Sequence, residues 1–130
     1  MSFESSLFTY LSAQTSLTAL VSTRIYPVIM PQSTTMPAIS YEKISHHRFS
    51  GAVNGQYGLC SPIYEFQIMA TTYASVQAIA TVMRSIFKNF SGTMGDIEVQ
   101  LAKIISDDVG FDEKTNIYYS QIEFEFYYAE

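Results

Sequence analysis

The sequence predicts an α+β fold in a single domain, residues 1–130. The expected order is α-β-β-α-β-β, a mainly antiparallel four-stranded sheet with helices packed on one face. Three observations lead there. The closing stretch "NIYYSQIEFEFYYAE" alternates with a period of two, as a strand does. The stretch "YASVQAIATVMRSIFKNF" repeats its apolar residues at helical spacing. No linker, repeat or low-complexity tract divides these segments, so helices and strands have one core to share.

Each element has its own justification. In "SFESSLFTYLSAQ", Phe3, Leu7, Tyr10 and Leu11 form one helical stripe behind Ser2, a suitable N-cap. "TSLTALV" makes a second short turn, with Thr15 or Ser16 as cap. Pro27, Pro31 and Pro37 then rule out a helix and disfavour a central strand, which predicts an extended connector into a strand at Ala38–Ser45. "SHHRFSGAVNGQYGL" reads as a long, mobile hairpin loop, since it holds three glycines and an Asn-Gly pair. In the next strand, Pro62–Thr71, Tyr64, Phe66, Ile68 and Ala70 share one face. Thr72 caps the long helix, whose stripe is Val76, Ile79, Ala80, Met83, Phe87 and Phe90. Lys88 suits its C-terminal dipole, and Gly92 and Gly95 end it. "DIEVQLAKIIS" is expected to turn Ile97, Val99 and Leu101 inward, and "DDVGFDEKTN" to form an acidic turn. In the last strand Tyr118, Ser120, Ile122, Phe124, Phe126 and Tyr128 face one way. Ile117, Tyr119, Gln121, Glu123, Glu125 and Tyr127 face the other.

Composition narrows the function. A chain of 130 residues buries about two-thirds of its unfolded surface. Charged residues are few (15%) and Tyr and Phe are many (15%), a balance suited to a chain that buries further surface against partners. Residues 1–95 carry Glu4, Glu42 and Glu65 against five Lys and Arg. Residues 96–130 carry nine acids against Lys103 and Lys114. Such an acidic third does not grip nucleic acid, which needs clustered cations, although DNA could slide past it. The single cysteine, Cys60, excludes an internal disulfide and fits a reducing compartment. "MSFE" lacks the basic start of a signal peptide, and no apolar run nears the about 20 residues that cross a bilayer.

No catalytic, cofactor-binding or metal-binding set emerges. His46 and His47 are adjacent, so an extended chain sends them to opposite sides, and solvated loop residues is the plainer reading. Asp107, Asp108, Asp112 and Glu113 lack the separated third carboxylate of a two-metal nuclease site. Cys60 has no histidine near it in sequence and reads as a structural thiol. Neither a phosphate-binding glycine loop nor a nucleophile elbow occurs. The residues alone describe a non-enzymatic α+β domain with an interaction surface.

Four stretches carry a resemblance beyond composition. "LTALVSTRIYPVIMPQSTTMPAISYEKIS" resembles the opening of tail-completion (tail-terminator) proteins of long-tailed bacteriophages and related gene-transfer particles. "YEFQIMATTYASVQAIATVMRSIF" resembles that family's second strand and long helix. "FSGTMGDIEVQ" resembles its turn into the third strand, and "FDEKTNIYYSQIEFEFYY" its closing turn and aromatic strand. The likeness runs from Leu7 to Tyr128 and is weakest over His46–Leu59. It implies a virion protein, assembled in the host cytoplasm, that forms a ring, typically a hexamer, on the head-proximal end of the tail tube. Such a ring ends tube growth and presents a docking surface to the head or neck. Its implied partners are copies of itself, the tail tube protein and the head-tail connector. DNA passes through without specific binding, and no membrane is involved. In a ring, Arg48, Phe49, Tyr57, Leu59, Ile117, Tyr119 and Tyr127 become candidate interface residues. Asp107, Asp108, Asp112, Glu113, Glu123 and Glu125 become candidate lumen-facing acids. Two readings stay open beside this one: a head-tail connector, and a small dimeric α+β ligand-binding domain.

Overall fold

The Ser2 hydroxyl accepts the Ser5 N–H and starts the first helix, α1 (Phe3–Ser12). The structure, a computed structural model, describes residues 2–32, 34–48, 59–88 and 90–129. Helix α2 (Thr15–Val21) has Gln14, rather than Thr15 or Ser16, at its N-cap. The Gln14 carbonyl accepts the N–H groups of Leu17 and Thr18. Helix α3 (Tyr73–Phe87) begins where Thr72 accepts the Ser75 N–H at 3.2 Å. It stops at Phe87, before the expected Phe90, because Lys88 is already extended. Gly92 therefore does not end the helix but opens a strand.

The described residues form six strands: β1 (Ile25–Pro27), β2 (Ala38–Arg48), β3 (Leu59–Ala70), β4 (Gly92–Met94), β5 (Ile97–Asp112) and β6 (Ile117–Ala129). Their order across one sheet is β1-β2-β3-β6-β5-β4. The β1–β2 pair is parallel and the other pairs are antiparallel. This overturns the expected four-stranded α-β-β-α-β-β architecture. Among the described residues the order is α-α-β-β-β-α-β-β-β and the sheet is six-stranded and mixed. The two additional strands are three residues each, too short to alternate visibly in sequence. Strand β1 lies in the proline-containing connector, where Pro27 is tolerated because the strand is at an edge. Strand β4 folds back on β5 through a turn in which Gly95 has φ 63°.

The longer strands also exceed their expected bounds. Strand β2 runs on to Arg48, so His46 and His47 are strand residues rather than loop residues. Strand β5 runs through Asp107, Asp108 and Asp112, and the acidic turn shrinks to residues 113–116. Bulges between Val99 and Leu101 and between Ile104 and Ser106 shift its register. A bulge inserts a residue and reverses the alternation beyond it. Val99 is therefore buried as expected, whereas Leu101 is 40% exposed and Ala102 takes the inward position.

The core lies between the helices and one face of the sheet. Phe3 of α1 stacks on Tyr128 at 4.6 Å between centroids and also meets Tyr64 and Phe126. Phe87 of α3 lies 4.9 Å from Phe124, 5.2 Å from Phe126 and 6.0 Å from Phe66. Tilted and edge-on contacts of this kind favour aromatic pairs beyond their buried area. Leu17 and Val21 of α2 join Ile25 and Ile39 in the same cluster. Cys60 is fully buried there. Because Phe87 is fully buried and Phe8 is 40% exposed, Phe87→Ala should cost about 3–5 kcal/mol and Phe8→Ala under about 1 kcal/mol in urea unfolding.

Candidate assembly surface

Every second side chain of β3 and β6 points away from the helices. On β6 these are Ile117, Tyr119, Gln121, Glu123, Glu125 and Tyr127, all half-buried by their strand neighbours alone. Cross-strand partners share a face, so register extends this surface over β2, β3 and β5. Glu42 stands opposite Glu65, and Glu65 opposite Glu123. Three glutamates thus form a row across the middle of the sheet, with like charges directly opposed. Partial burial, then Glu123 and then Glu42, raise the pKa of Glu65. Ser106 beside Glu123 donates to it at 3.0 Å.

One strand step along, Glu125 has different surroundings. It accepts hydrogen bonds from Ser61 at 2.7 Å and from Tyr127 at 2.8 Å, and its carboxylate lies 3.4 Å from Lys103 Nζ. Partial burial works against its charge, but these hydrogen bonds and the lysine outweigh it, and the pKa falls. Lys103 Nζ also sits 5.6 Å from the Tyr127 ring centroid. The same surface therefore has a neutralised end at Tyr127 and an unneutralised carboxylate row at its middle.

The opposite end is aromatic. Tyr119 lies across Gly110: a Cβ on Gly110 would come within 2.5 Å of the phenol. The missing side chain lets the ring lie against the strand. Beside it, Met69, Gln67, Ile117, Phe111 and Glu113 surround a depression of about 420 Å³.

The candidate residues from sequence are distributed over this frame unevenly. Ile117, Tyr119 and Tyr127 share the helix-free face, at its two ends. Leu59 and Arg48 lie where β3 begins and β2 ends, at the far margin of the sheet. Phe49 and Tyr57 lie outside the described residues. The six acids do not gather in one cluster. Glu123 and Glu125 are central on the helix-free face, and Asp108 and Asp112 share that face through Gln121 and Ile117. Asp107 pairs with Ile122 on the helix side, where Arg84 of α3 donates to it at 2.7 Å. Glu113 is in the turn. His46 and His47 do point to opposite faces: His46 meets Tyr128 edge-on, and His47 stands opposite Ser61. Sequence reasoning missed Glu42 and Glu65. Their mid-strand, outward positions were legible, but their alignment with Glu123 is set by the register of three strands.

Among the described residues no group of His, Cys, Asp and Glu could hold a metal ion, and no helix is long and apolar enough to cross a membrane. No protein-family model matches the chain, and no curated protein matches it. Solved structures share its fold. A chain from the virion of a native gene transfer agent (GTA) particle superposes with a TM-score of 0.74 at 14% identity, covering 98% of this chain and 95% of that one. A second solved chain, carrying no functional description, superposes with a TM-score of 0.56 at 13% identity, covering 98% and 90%. At such identities the likeness is one of fold.

The glutamate row makes a pH-dependent prediction. The folded-state pKa of Glu65 is raised, so its ionisation destabilises the fold. That destabilisation is absent below the unfolded pKa, grows as pH rises and is complete above the folded pKa. Glu65→Gln should therefore raise the melting temperature at pH 7, and the gain should shrink as the pH is lowered through the carboxylate range. Melting curves from pH 4 to pH 7 test this; a gain that grows on acidification contradicts it.

Proposed function

We propose that this chain is a structural protein of a phage-type virion, forming a ring, six copies round, that caps the head-proximal end of the tail tube. The ring ends tube growth and offers a docking surface to the head or neck. The observation that carries this reading is a fold shared over 98% of the chain with a component of a gene transfer agent virion. The helix-free sheet face supports it, since a soluble monomer has no evident use for aromatics and unneutralised glutamates there.

In the proposed ring the helix-free face turns inward and the helices lie outside. Glu42, Glu65 and Glu123 then girdle the channel at mid-height, with Asp108 and Asp112 nearer one rim. A negative wall repels phosphates, so DNA passes without adhering. At physiological salt that repulsion reaches about 8 Å, which suits a carboxylate lining close to the duplex. Ile117 and Tyr119 lie toward one rim and Tyr127 toward the other, where the tail tube protein and the neck would meet them. Nothing in this role requires catalysis or a cofactor.

Electron microscopy of assembled particles tests the reading directly. A six-fold ring of this chain at the head-proximal end of the tail is expected; a single copy, or a position elsewhere in the particle, refutes it. Replacing Asp108 and Glu123 together by Lys should leave tails able to form but slow DNA ejection, more strongly at low salt. Ejection that is unchanged at low salt would remove these acids from the channel wall.

A further inference from the structure

The exposed large apolar side chains concentrate on the two flanks of the sheet. Phe8, Val28, Ile29 and Ile44 lie on the flank of α1, β1 and β2. Leu101, Ile104, Ile105, Val109 and Phe111 lie on β5, at the other flank. Both flanks hold these side chains out by backbone irregularity. In β2 the extra residue of the bulge is Ile44, and in β5 the extra residue of the second bulge is Ile105. A bulge spoils an edge for strand addition, and edges are commonly protected further by charge. Here both extra residues are isoleucines, 45% and 46% exposed. Val28 has φ 62°, which a β-branched residue rarely adopts. Its N–H donates to the Tyr41 carbonyl and the Ile29 N–H donates to the Pro27 carbonyl, both at 2.7 Å. That tight, strained turn leaves Val28 and Ile29 the most exposed of the set.

We infer that neighbouring copies meet side by side through these unlike flanks: Val28, Ile29 and Ile44 of one copy pack against Ile104, Ile105 and Val109 of the next. The contact is one of apolar side chains, not of strand addition. The inference rests on the ring reading above and specifies its interface.

Level, area and symmetry favour this contact. A rotation about an axis along the strands keeps height, so residues that meet must stand at one level of the sheet. Register supplies the levels. Pro27 stands opposite Tyr41, which puts Val28 level with Glu42, and the row runs on through Glu65 and Glu123 to Ser106, next to Ile105. Lys43, next to Ile44, is in a row with Tyr64, Phe124 and Ile104. Ile25 and Ile39 are in a row with Ile68, Ser120 and Val109. At that level Phe8, Ile25, Pro27 and Tyr41 line a depression of about 340 Å³ on the helix side, the side on which Val109 lies. Asp107, one step away, is held by Arg84, which limits its repulsion of Glu4 at the rim of that depression. The exposed side chains contribute roughly 50–100 Å² apiece, so the two flanks present about 500–1,000 Å² together. A standard interface of about 1,600 Å² contains about 900 Å² of nonpolar surface. A two-fold contact would cover one kind of flank and leave the other bare. A contact between unlike flanks covers both, and repeated by rotation it closes a ring.

Blocking and cross-linking the flanks test the contact in the full-length chain, assembled on tails with the tail tube protein. Ile29→Glu and Ile105→Glu each place a charge on one flank, and Ala78→Glu places one on the exposed side of α3. All three sites are exposed, so melting temperatures should stay within about 2 °C of the unsubstituted chain. The two flank variants should form no ring, and Ala78→Glu should form it normally. A ring that survives both flank charges overturns the inference. For cross-linking, Val28→Cys and Ile105→Cys are mixed and treated with a short thiol-to-thiol linker; Cys60 is buried and stays in place. A covalent dimer is expected from the mixture and from neither variant alone. A variant that links to itself would show a two-fold contact, and one that links to the tube protein would show a different partner; either overturns the inference. If microscopy shows the ring but the mixture gives no dimer, the flank contact fails and the ring reading survives. If the unsubstituted chain forms no ring on tails, the ring reading fails and this contact with it.

Discussion

The antiparallel pairing of β3 with β6 is the constraint on which the rest of the molecule depends. Its register brings Tyr64, Phe66 and Ile68 level with Phe124, Ile122 and Ser120, so one face becomes a nearly continuous aromatic and aliphatic surface. That surface must be covered, and α1, α2 and α3 cover it. Phe87 fills the middle and Phe3 closes one end. A one-residue slip of β6 would turn Glu123 and Glu125 toward the helices, and a slip of β3 would turn Glu65 there, where burying unpaired charge is prohibitive. The helices thus fix the register, and the register fixes what lies on the other side.

What lies there is unlike a finished protein surface. Directly opposed like charges disfavour a strand pair, and here three strands in succession place a glutamate at one level. Nearby, Glu125 receives two hydroxyl donors and a lysine, so the fold is able to neutralise a carboxylate on this face and does so one step away from the row. A negative band bounded by aromatic ends has a physical rationale if the face lines a passage for a polyanion. The same features have no rationale in the stability of a single copy, which they lower.

The bulges have a comparable double effect. Those in β5 turn Leu101 outward, bring Ala102 inward and bend the strand beyond the cover of β4. The bulge between Lys43 and Ser45 does the same for β2 past the cover of β1. Past these points no described strand lies beside the outer edge of either strand.

The sequence by itself determined the elements whose period is long enough to read. Alternation in residues 117–128 and 63–70, the stripe of Val76, Ile79, Ala80, Met83 and Phe87, and the caps Ser2 and Thr72 all lie where local spacing places them. These features depend on neighbours within a few residues, and a chain displays such neighbours directly. Tertiary structure decided the rest. Strands β1 and β4 exist only because β2 and β5 offer them an edge, and three residues carry no period of their own. The bulges separate Leu101 from Val99 although the two are spaced as strand partners. Asp107 looked like part of an acidic turn until the length of β5 set it on the helix side beside Arg84. Glu42 and Glu65, 23 positions apart and far from Glu123, become one row only through register. Register is fixed by what the opposite face must bury, and that is a property of the whole sheet and its helices, which no local stretch of sequence contains.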